Sequence, residues 1–196
     1  MSTPIAAACW RGHRLRVPWT KHAHIAGTSR WALRIATEQP RLAKGVVAID
    51  SAGLGEEIGA GLTDLMRGQA GSDTARSLLE LFYQDQRLVN ERAVAEMAQM
   101  QLADGAWTAQ QAVASAAFAG GRQLEAARLN PASVPIPVLL IWGERDRVIP
   151  AQHAIDAVAT FPDASLAIVP NIGHVPQVEN PARTATLISR FAKSIS

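Results

Sequence analysis

VLLIWGERDRVIP, residues 138–150, is the stretch that decides the fold. An unbroken apolar run begins at Val138 and stops at Gly143, and a charged turn follows that Pro150 closes. This pattern is typical of a strand buried on both faces in a parallel sheet. Asp146 comes just after the C-terminal end of that strand, where the catalytic groups of open α/β sheets collect. The sequence therefore predicts an α/β fold in which Asp146 can orient a base.

A second apolar segment leads to a histidine in the same way. Residues 164–174 predict a short apolar strand that runs into a turn, with His174 at the exit of that turn. A helical pattern from Ala151 to Phe161 separates the two strands. Because a strand, a helix and a parallel strand connect by a right-handed crossover, the ends of the two strands should lie side by side. Asp146 and His174 are therefore expected to meet.

An acid and a histidine in this arrangement suit nucleophilic catalysis. The carboxylate accepts a hydrogen bond from Nδ1 of the imidazole, while Nε2 takes a proton from a nucleophile. The alternative is that Asp146 only caps the helix that begins near Pro150 and that His174 is an ordinary loop residue. The correct order and spacing of the two residues favour the catalytic interpretation.

These motifs resemble those of the α/β-hydrolase superfamily, and the resemblance covers the chain from about Ala32 to the C-terminus. The middle is especially similar to the hydrolase-type domain of acetoin dehydrogenase dihydrolipoamide acetyltransferases. The residues that carry the resemblance are Ser51–Ile58, Phe118–Gln123, Trp142–Pro150 and Gly173–Gln177. The resemblance implies a parallel sheet with flanking helices, an inserted helical cap, and acyl transfer by a Ser-Asp-His triad.

In this family the nucleophile sits in a Gly-x-Ser-x-Gly turn between a strand and a helix. Gly27 and Ser29 fit the first three positions, which makes Ser29 the candidate nucleophile and the N–H of Arg30 a candidate oxyanion donor. The sequence departs from the motif at Trp31, which stands where the closing glycine belongs. A bulky side chain there crowds a strained turn. Ser29 is also well placed to be a plain helix cap.

The first 31 residues differ in composition from the rest. They hold five of the 19 basic residues and none of the 17 acidic ones, so the remaining 14 basic residues leave the main body slightly negative. Three interpretations stay open for residues 1–31: a basic arm for an acidic partner, a targeting peptide, or a start that has replaced a lost N-terminal half. The third is favoured, because too few residues precede Ser29 to form the early strands of the family. It predicts a partial α/β-hydrolase fold of about three or four strands and an impaired activity.

The remaining sequence divides into a core and an insertion. Residues 32–55 and 130–196 are expected to form the hydrolase core, and residues 56–129 a mostly helical cap. The glycine-rich passage from Gly53 to Gly61 lacks the pattern of a phosphate loop and is interpreted as a hinge for the cap. The cap is expected to line the acyl pocket, although packing between cap helices is an alternative for each candidate pocket residue: Phe82, Met97, Met100 and Phe118.

Composition narrows the class of protein. No apolar run is long enough to span a membrane, and the single Cys fits a reducing compartment, so a cytoplasmic location is expected. The five His residues show no ligand spacing, and neither a metal nor a cofactor is predicted. The expected partner is a small-molecule acyl substrate rather than nucleic acid or membrane. If early strands are missing, the strand before Ser29 becomes an open edge, which predicts a homodimer or aggregation.

Three functions remain open on the sequence alone. The first is a serine-type ester or thioester hydrolase that uses Ser29, His174 and Asp146. The second is the acyltransferase component of an acetoin-cleaving complex, although none of the lysines, Lys21, Lys44 and Lys193, lies in the hairpin pattern of a lipoyl domain. The third is a non-catalytic fragment that serves in interactions.

Overall fold

The structure, a computed structural model, describes residues 6–7, 24–27, 30–124 and 129–195. In these residues a parallel sheet carries helices on both faces, and a helical insertion interrupts the sheet. The elements in chain order are β1 (Ala6–Ala7), β2 (His24–Gly27), α1 (Arg30–Glu38), β3 (Gly45–Ile49), α2 (Ala60–Arg67), α3 (Ser72–Phe82), α4 (Glu91–Leu102), α5 (Ala106–Ala117), β4 (Phe118–Ala119), β5 (Arg122–Gln123), β6 (Val138–Gly143), α6 (Gln152–Val158), β7 (Ala164–Val169), α7 (Pro176–Glu179) and α8 (Pro181–Ser194).

The central sheet has the strand order β1-β2-β3-β6-β7, and every neighbouring pair is parallel. All residues of β3 and β6 are buried, as their continuous apolar sequences predict. The predicted parallel sheet with flanking helices and a helical insertion is therefore confirmed. Because the strands are parallel, the residues that follow β2, β3, β6 and β7 share one edge of the sheet.

Side chains alternate between the two faces of the sheet. Val46 and Leu140 point to the face that α1 and α6 cover, whereas Val47 and Ile141 point to the opposite face, against α8. Each such fully buried aliphatic side chain contributes about 2 kcal/mol relative to an exposed one. The apolar side chains of α8 that pack on this second face are Leu187, Ile188 and Phe191.

The insertion between β3 and β6 contains α2 to α5. Its own small core joins α3 to α4 through Ala75, Leu79, Val94 and Ala98. The predicted helices are present, and Gly105 precedes α5 in a left-handed conformation, with φ of 71°. None of the helices in the described residues is both long and apolar enough to cross a bilayer.

Three features correct the expectations from sequence. The central parallel sheet has five described strands rather than three or four. Two of these strands, β1 and β2, lie within residues 1–31, so the sheet begins before the predicted core boundary at residue 32. The strand before Ser29 is not the edge strand, because Ala6 and Ala7 of β1 pair with Ile25 and Ala26 of β2. A homodimer stays a prediction; among the strands that the structure describes, β1 is the outermost on this side of the sheet.

A short hairpin also interrupts the block that the sequence predicts as mostly helical. Strands β4 and β5 pair antiparallel, and Glu57 bridges to Arg122 beside them. Gly120 and Gly121 form the turn with φ of 55° and 72°. Positive φ at both central residues is what a two-residue hairpin turn of type I′ requires, and glycine adopts positive φ at little cost.

Candidate active site

Asp146 is held rigidly in the loop that follows β6. Its Oδ1 accepts hydrogen bonds from the backbone N–H groups of Val148 at 2.7 Å and Ile149 at 2.9 Å. Trp142 in β6 ties the strand to the far end of this loop: its fully buried indole donates from Nε1 to the carbonyl oxygen of Ile149 at 2.9 Å. The Asp146 side chain is fully buried. These bonds stabilise the charged carboxylate and leave Oδ2 free for another donor.

That donor is His174. Its Nδ1 lies 2.9 Å from Oδ2 of Asp146, and its side chain keeps 15% of its surface exposed. A carboxylate cannot donate, so Nδ1 carries the proton of this bond and the neutral ring offers the lone pair of Nε2. The structure thus brings together the two residues that the sequence singles out. A histidine held in this way can accept a proton from a nucleophile at Nε2.

Two glycines allow the loops that carry these residues to cross closely. A Cβ atom at Gly143 would overlap the carbonyl oxygens of Ile172 and Gly173, and one at Gly173 would overlap the carbonyl oxygen of Phe82. The backbone before His174 therefore runs directly against the end of β6. Asn171, with φ of 57°, makes the turn that starts this approach.

The helical cap, α2 to α5 with the turns between them, contacts the loop between β7 and α7 that carries His174. The N–H of His174 donates to the carbonyl oxygen of Phe82 at 2.8 Å, and the Phe82 ring lies 5.4 Å from the imidazole, tilted by 48°. Glu179 bridges the same two parts: Oε1 accepts from the N–H of Gly173 at 2.7 Å, and Oε2 accepts from that of Asp85 at 2.8 Å. The end of α3 and its following turn are thus fixed relative to His174.

The cap also contacts the loop between β6 and α6, which carries Asp146. The guanidinium of Arg147, next to Asp146, donates to the carbonyl oxygens of Glu80 and Tyr83, the latter at 2.9 Å. Both carbonyls lie at the C-terminal end of α3, where helix carbonyls lack partners within the helix and a cation is favoured. Both loops of the site are therefore tied to one end of one cap helix.

Asp50 is a second acid at this edge, and the sequence reasoning missed it. It follows β3 directly, is fully buried, and its φ of 43° lies in the left-handed region. Its Oδ1 accepts from the N–H of Gly143 at 2.8 Å. Burial, and after it the negative charge of Asp146, raises the pKa of the Asp50 carboxyl to about 10. Like Asp146, Asp50 comes at the C-terminal end of a buried apolar strand, and that pattern would have found it.

The candidate nucleophile Ser29 lies outside the described residues. The elements on either side of it are described: β2 ends at Gly27, and α1 begins at Arg30, the candidate oxyanion donor. A parallel strand and a helix joined by two residues is the local arrangement that a strand-to-helix nucleophile turn needs. Since β2 neighbours β3 and runs parallel to it, the C-terminal end of β2 at Gly27 lies at the same sheet edge as Asp50 and Asp146.

The four predicted pocket residues take different positions. Phe82 lies against His174. Met97 is half-buried in the packing between cap helices, and Phe118 lines a cavity of about 150 Å³ between α2 and α5. Met100 is 66% exposed, so its side chain faces solvent instead of a pocket. Of the four, only Phe82 has a described contact with the Asp146–His174 pair.

The glycine-rich passage before the cap is closely packed. A Cβ atom at Gly55 would overlap the ring of His153, and one at Gly59 would overlap the carbonyl oxygen of Arg147. Close approach thus gives a reason for glycine at these two positions. The interpretation of the passage as a hinge stays a prediction.

A protein family and several known proteins match most of this chain in sequence. A sequence model described as "Alpha/beta hydrolase family" matches residues 22–187. The acetyltransferase component of the acetoin cleaving system of Cupriavidus necator is 28% identical over 160 residues, which cover 80% of this chain and 42% of that protein. The 2-hydroxymuconate semialdehyde hydrolase of Pseudomonas putida is 29% identical over 165 residues, which cover 82% of this chain and 57% of that protein. The chain thus spans about half of the length of these relatives.

Solved structures agree on the fold. A meta-cleavage product hydrolase from Pseudomonas fluorescens superimposes with a TM-score of 0.80 at 21% identity, covering 90% of this chain and 66% of the other. A putative lipase from Acinetobacter baumannii gives 0.73 at 19% identity, covering 89% of this chain and 61% of the other. At these identities the likeness concerns the fold.

Proposed function

Because the chain belongs to the alpha/beta hydrolase family, we propose that it is a serine-type hydrolase that cleaves an acyl ester or thioester. Ser29 is the proposed nucleophile, His174 the base and then the acid, and Asp146 the residue that orients the histidine. The observation that carries the proposal is the 2.9 Å bond between Nδ1 of His174 and Oδ2 of the buried Asp146.

The reaction follows from the protons that these groups can hold. Oγ of Ser29 attacks the carbonyl carbon while Nε2 of His174 takes its proton, and Asp146 stabilises the resulting imidazolium. The imidazolium then gives that proton to the leaving alkoxide or thiolate as its bond to the acyl carbon breaks. Water, deprotonated by the same Nε2, then attacks the acyl carbon, and the imidazolium returns the proton to Oγ of Ser29 as the bond between Oγ and the acyl carbon breaks.

The negative charge that develops on the substrate's carbonyl oxygen needs hydrogen-bond donors to stabilise it. The N–H of Arg30 is the proposed first donor, because it is at the start of α1, where backbone N–H groups point out of the helix and the dipole favours an anion. One such donor typically contributes a factor of about 100 to 1,000 in rate.

The proposed acyl pocket lies under the cap. Phe82 has the strongest support, because its ring lies against the imidazole and its carbonyl oxygen accepts from the histidine N–H. Phe118 and Met97 are proposed as residues farther along the pocket. The cap bonds of Arg147 and Glu179 support a pocket wall that is fixed relative to the catalytic histidine.

Two relatives favour other substrates for the same site. The similarity to 2-hydroxymuconate semialdehyde hydrolase, over 82% of this chain, favours hydrolysis of a meta-cleavage product. The similarity to the acetoin-system component, over 80% of this chain, favours transfer of the acyl group from Ser29 to a thiol instead of water. In this chain both reactions would use the proposed nucleophile and base and would differ in the substrate or the acceptor.

A fluorophosphonate probe tests the nucleophile directly. We expect a covalent adduct on the peptide that contains Ser29, and its loss in Ser29→Ala and His174→Ala. Ser165→Ala, which removes an exposed hydroxyl on β7, is the matched control and should label like the wild type. Absence of the adduct from folded protein would contradict the proposal and favour a non-catalytic interaction role.

Turnover of three substrate classes then separates the candidates. Purified protein is given a p-nitrophenyl ester, an acyl thioester with and without an added dithiol, and 2-hydroxymuconate semialdehyde. Faster thioester loss with dithiol would indicate acyl transfer, and selective loss of the semialdehyde would indicate the meta-cleavage reaction. Turnover that persists in Ser29→Ala would show that another residue is the nucleophile.

A further inference from the structure

A second carboxyl group lies directly against the acid of the candidate pair. Asp50 follows β3 and Asp146 follows β6, two neighbouring strands that pair Ile49 with Ile141. Gly143 links the two acids: its N–H donates to Oδ1 of Asp50 at 2.8 Å, and its carbonyl oxygen accepts from the N–H of Asp146 at 3.3 Å. The Asp146 carboxyl in turn raises the pKa of Asp50 through its charge and as a hydrogen-bond partner. Two ionised carboxylates cannot form a hydrogen bond with each other, because neither has a proton to donate, and their negative charges repel. The contact becomes favourable only when the pair shares one proton.

The donors around each group decide which acid keeps its charge. Asp146 accepts three hydrogen bonds, from the N–H groups of Val148 and Ile149 and from Nδ1 of His174. Asp50 accepts one, from the N–H of Gly143. Each N–H directed at a carboxylate favours its ionised form. The negative charge therefore belongs on Asp146 and the proton on Asp50.

The atom that would carry the proton can be identified. Oδ2 of Asp50 is buried and has no hydrogen-bond partner among the described residues. Leaving a buried polar oxygen unpaired costs free energy, whereas a proton on it would turn it into a donor toward Asp146. The other charged groups that act on Asp50 have the same sign: Asp146 from the β6 loop and Glu179 from the end of α7. Both oppose ionisation of Asp50.

We propose that Asp50 is a neutral carboxylic acid whose Oδ2–H donates to the Asp146 carboxylate, which keeps the single negative charge of the pair on the acid that orients His174. Asp50 is then a positioning residue that acts through Asp146, and its value for catalysis rests on the proposed function of His174. The left-handed backbone at Asp50 is one that Asp and Asn tolerate, so Asn can replace it without new backbone strain.

Infrared difference spectroscopy tests the charge state without relying on activity. Subtracting the spectrum of Asp50→Asn from that of the wild type near neutral pH should leave the C=O band of a protonated carboxylic acid. The control is Asp64→Asn, because the Asp64 side chain is 76% exposed; beside the amide bands of the new Asn, its difference spectrum should contain carboxylate bands and no acid C=O band. Carboxylate bands alone in the Asp50→Asn difference would overturn the proposal. If that variant does not fold, carbon NMR of wild-type protein labelled in its Asp carboxyls gives the same count of protonated groups.

The pH profile of fluorophosphonate labelling tests the positioning role. Asp50→Asn keeps a donor toward Asp146 and removes no charge, so its profile should have the wild-type midpoint. Asp50→Ala removes the donor and should label at least tenfold more slowly, with Asp50→Asn restoring most of the rate. A midpoint that moves to lower pH in Asp50→Asn would overturn the proposal, because it would mean that a charge had been removed beside His174. Failure of the wild type to label would contradict the proposed function, whereas the infrared result would still decide the state of Asp50.

Discussion

The replacement Asp50→Asn makes a quantitative prediction about stability and pH. The carboxyl has its ordinary pKa of 3.8 in the unfolded chain, and burial raises it to about 10 in the folded protein. Between these values the unfolded chain releases a proton that the native protein keeps. Stability from this group is therefore fully present below the unfolded pKa and is lost as the pH rises toward the folded pKa. Asn does not titrate, so the variant lacks this loss.

The pH dependence of this stability difference follows from the single proton that unfolding releases from Asp50. The free energy of unfolding of the wild type should fall, relative to that of Asp50→Asn, by about 1.4 kcal/mol per pH unit. From about pH 5 to about pH 8 the difference between the two proteins should change by about 4 kcal/mol. This is a large share of the roughly 5–15 kcal/mol that stabilises a typical domain.

Urea unfolding measured across this pH range, on both proteins, provides the test. Other groups titrate alike in the two proteins, so they cancel in the difference. Asp64→Asn, an exposed acid, controls for the loss of a carboxyl as such and should show a difference from the wild type that does not vary with pH. A pH-independent difference for Asp50→Asn would refute the reasoning, because it would mean that Asp50 is ionised in the folded protein.

Three further variants examine the rest of the site. Gly143→Ala should destabilise the protein by several kcal/mol or displace the histidine loop, because its Cβ would overlap the Gly173 carbonyl; thermal unfolding within about 2 °C of the wild type would contradict that packing. Trp142→Phe should cost about 1–3 kcal/mol in urea unfolding, since the buried carbonyl of Ile149 loses its donor, and a neutral effect would show that the loop finds another donor. Asp146→Asn should slow fluorophosphonate labelling by about 10⁴-fold through the wrong histidine tautomer, and an unchanged rate would mean that Asp146 does not orient the base.

Local pattern predicted much of this protein. The sequence predicts the strands β3, β6 and β7 from their apolar runs and the helices α3 to α5 from their periodicity. Both patterns depend only on residues that are close together in the sequence. Asp146 and His174 stood out for the same reason, because each lies in the turn that follows a predicted strand. The hairpin of β4 and β5 was missed because its strands are two residues each, too short to show a period.

The sequence by itself determined the layered parallel fold and the two residues that would meet at its edge, because burial on both faces of a strand leaves an unbroken apolar run. Tertiary structure decided how the site is held and charged. The docking of the cap on both loops depends on Arg147 and Glu179, whose partners lie far along the chain. The state of Asp50 likewise depends on desolvation and on the charge of Asp146, and an acid has no fixed pKa until folding removes its water and sets its neighbours.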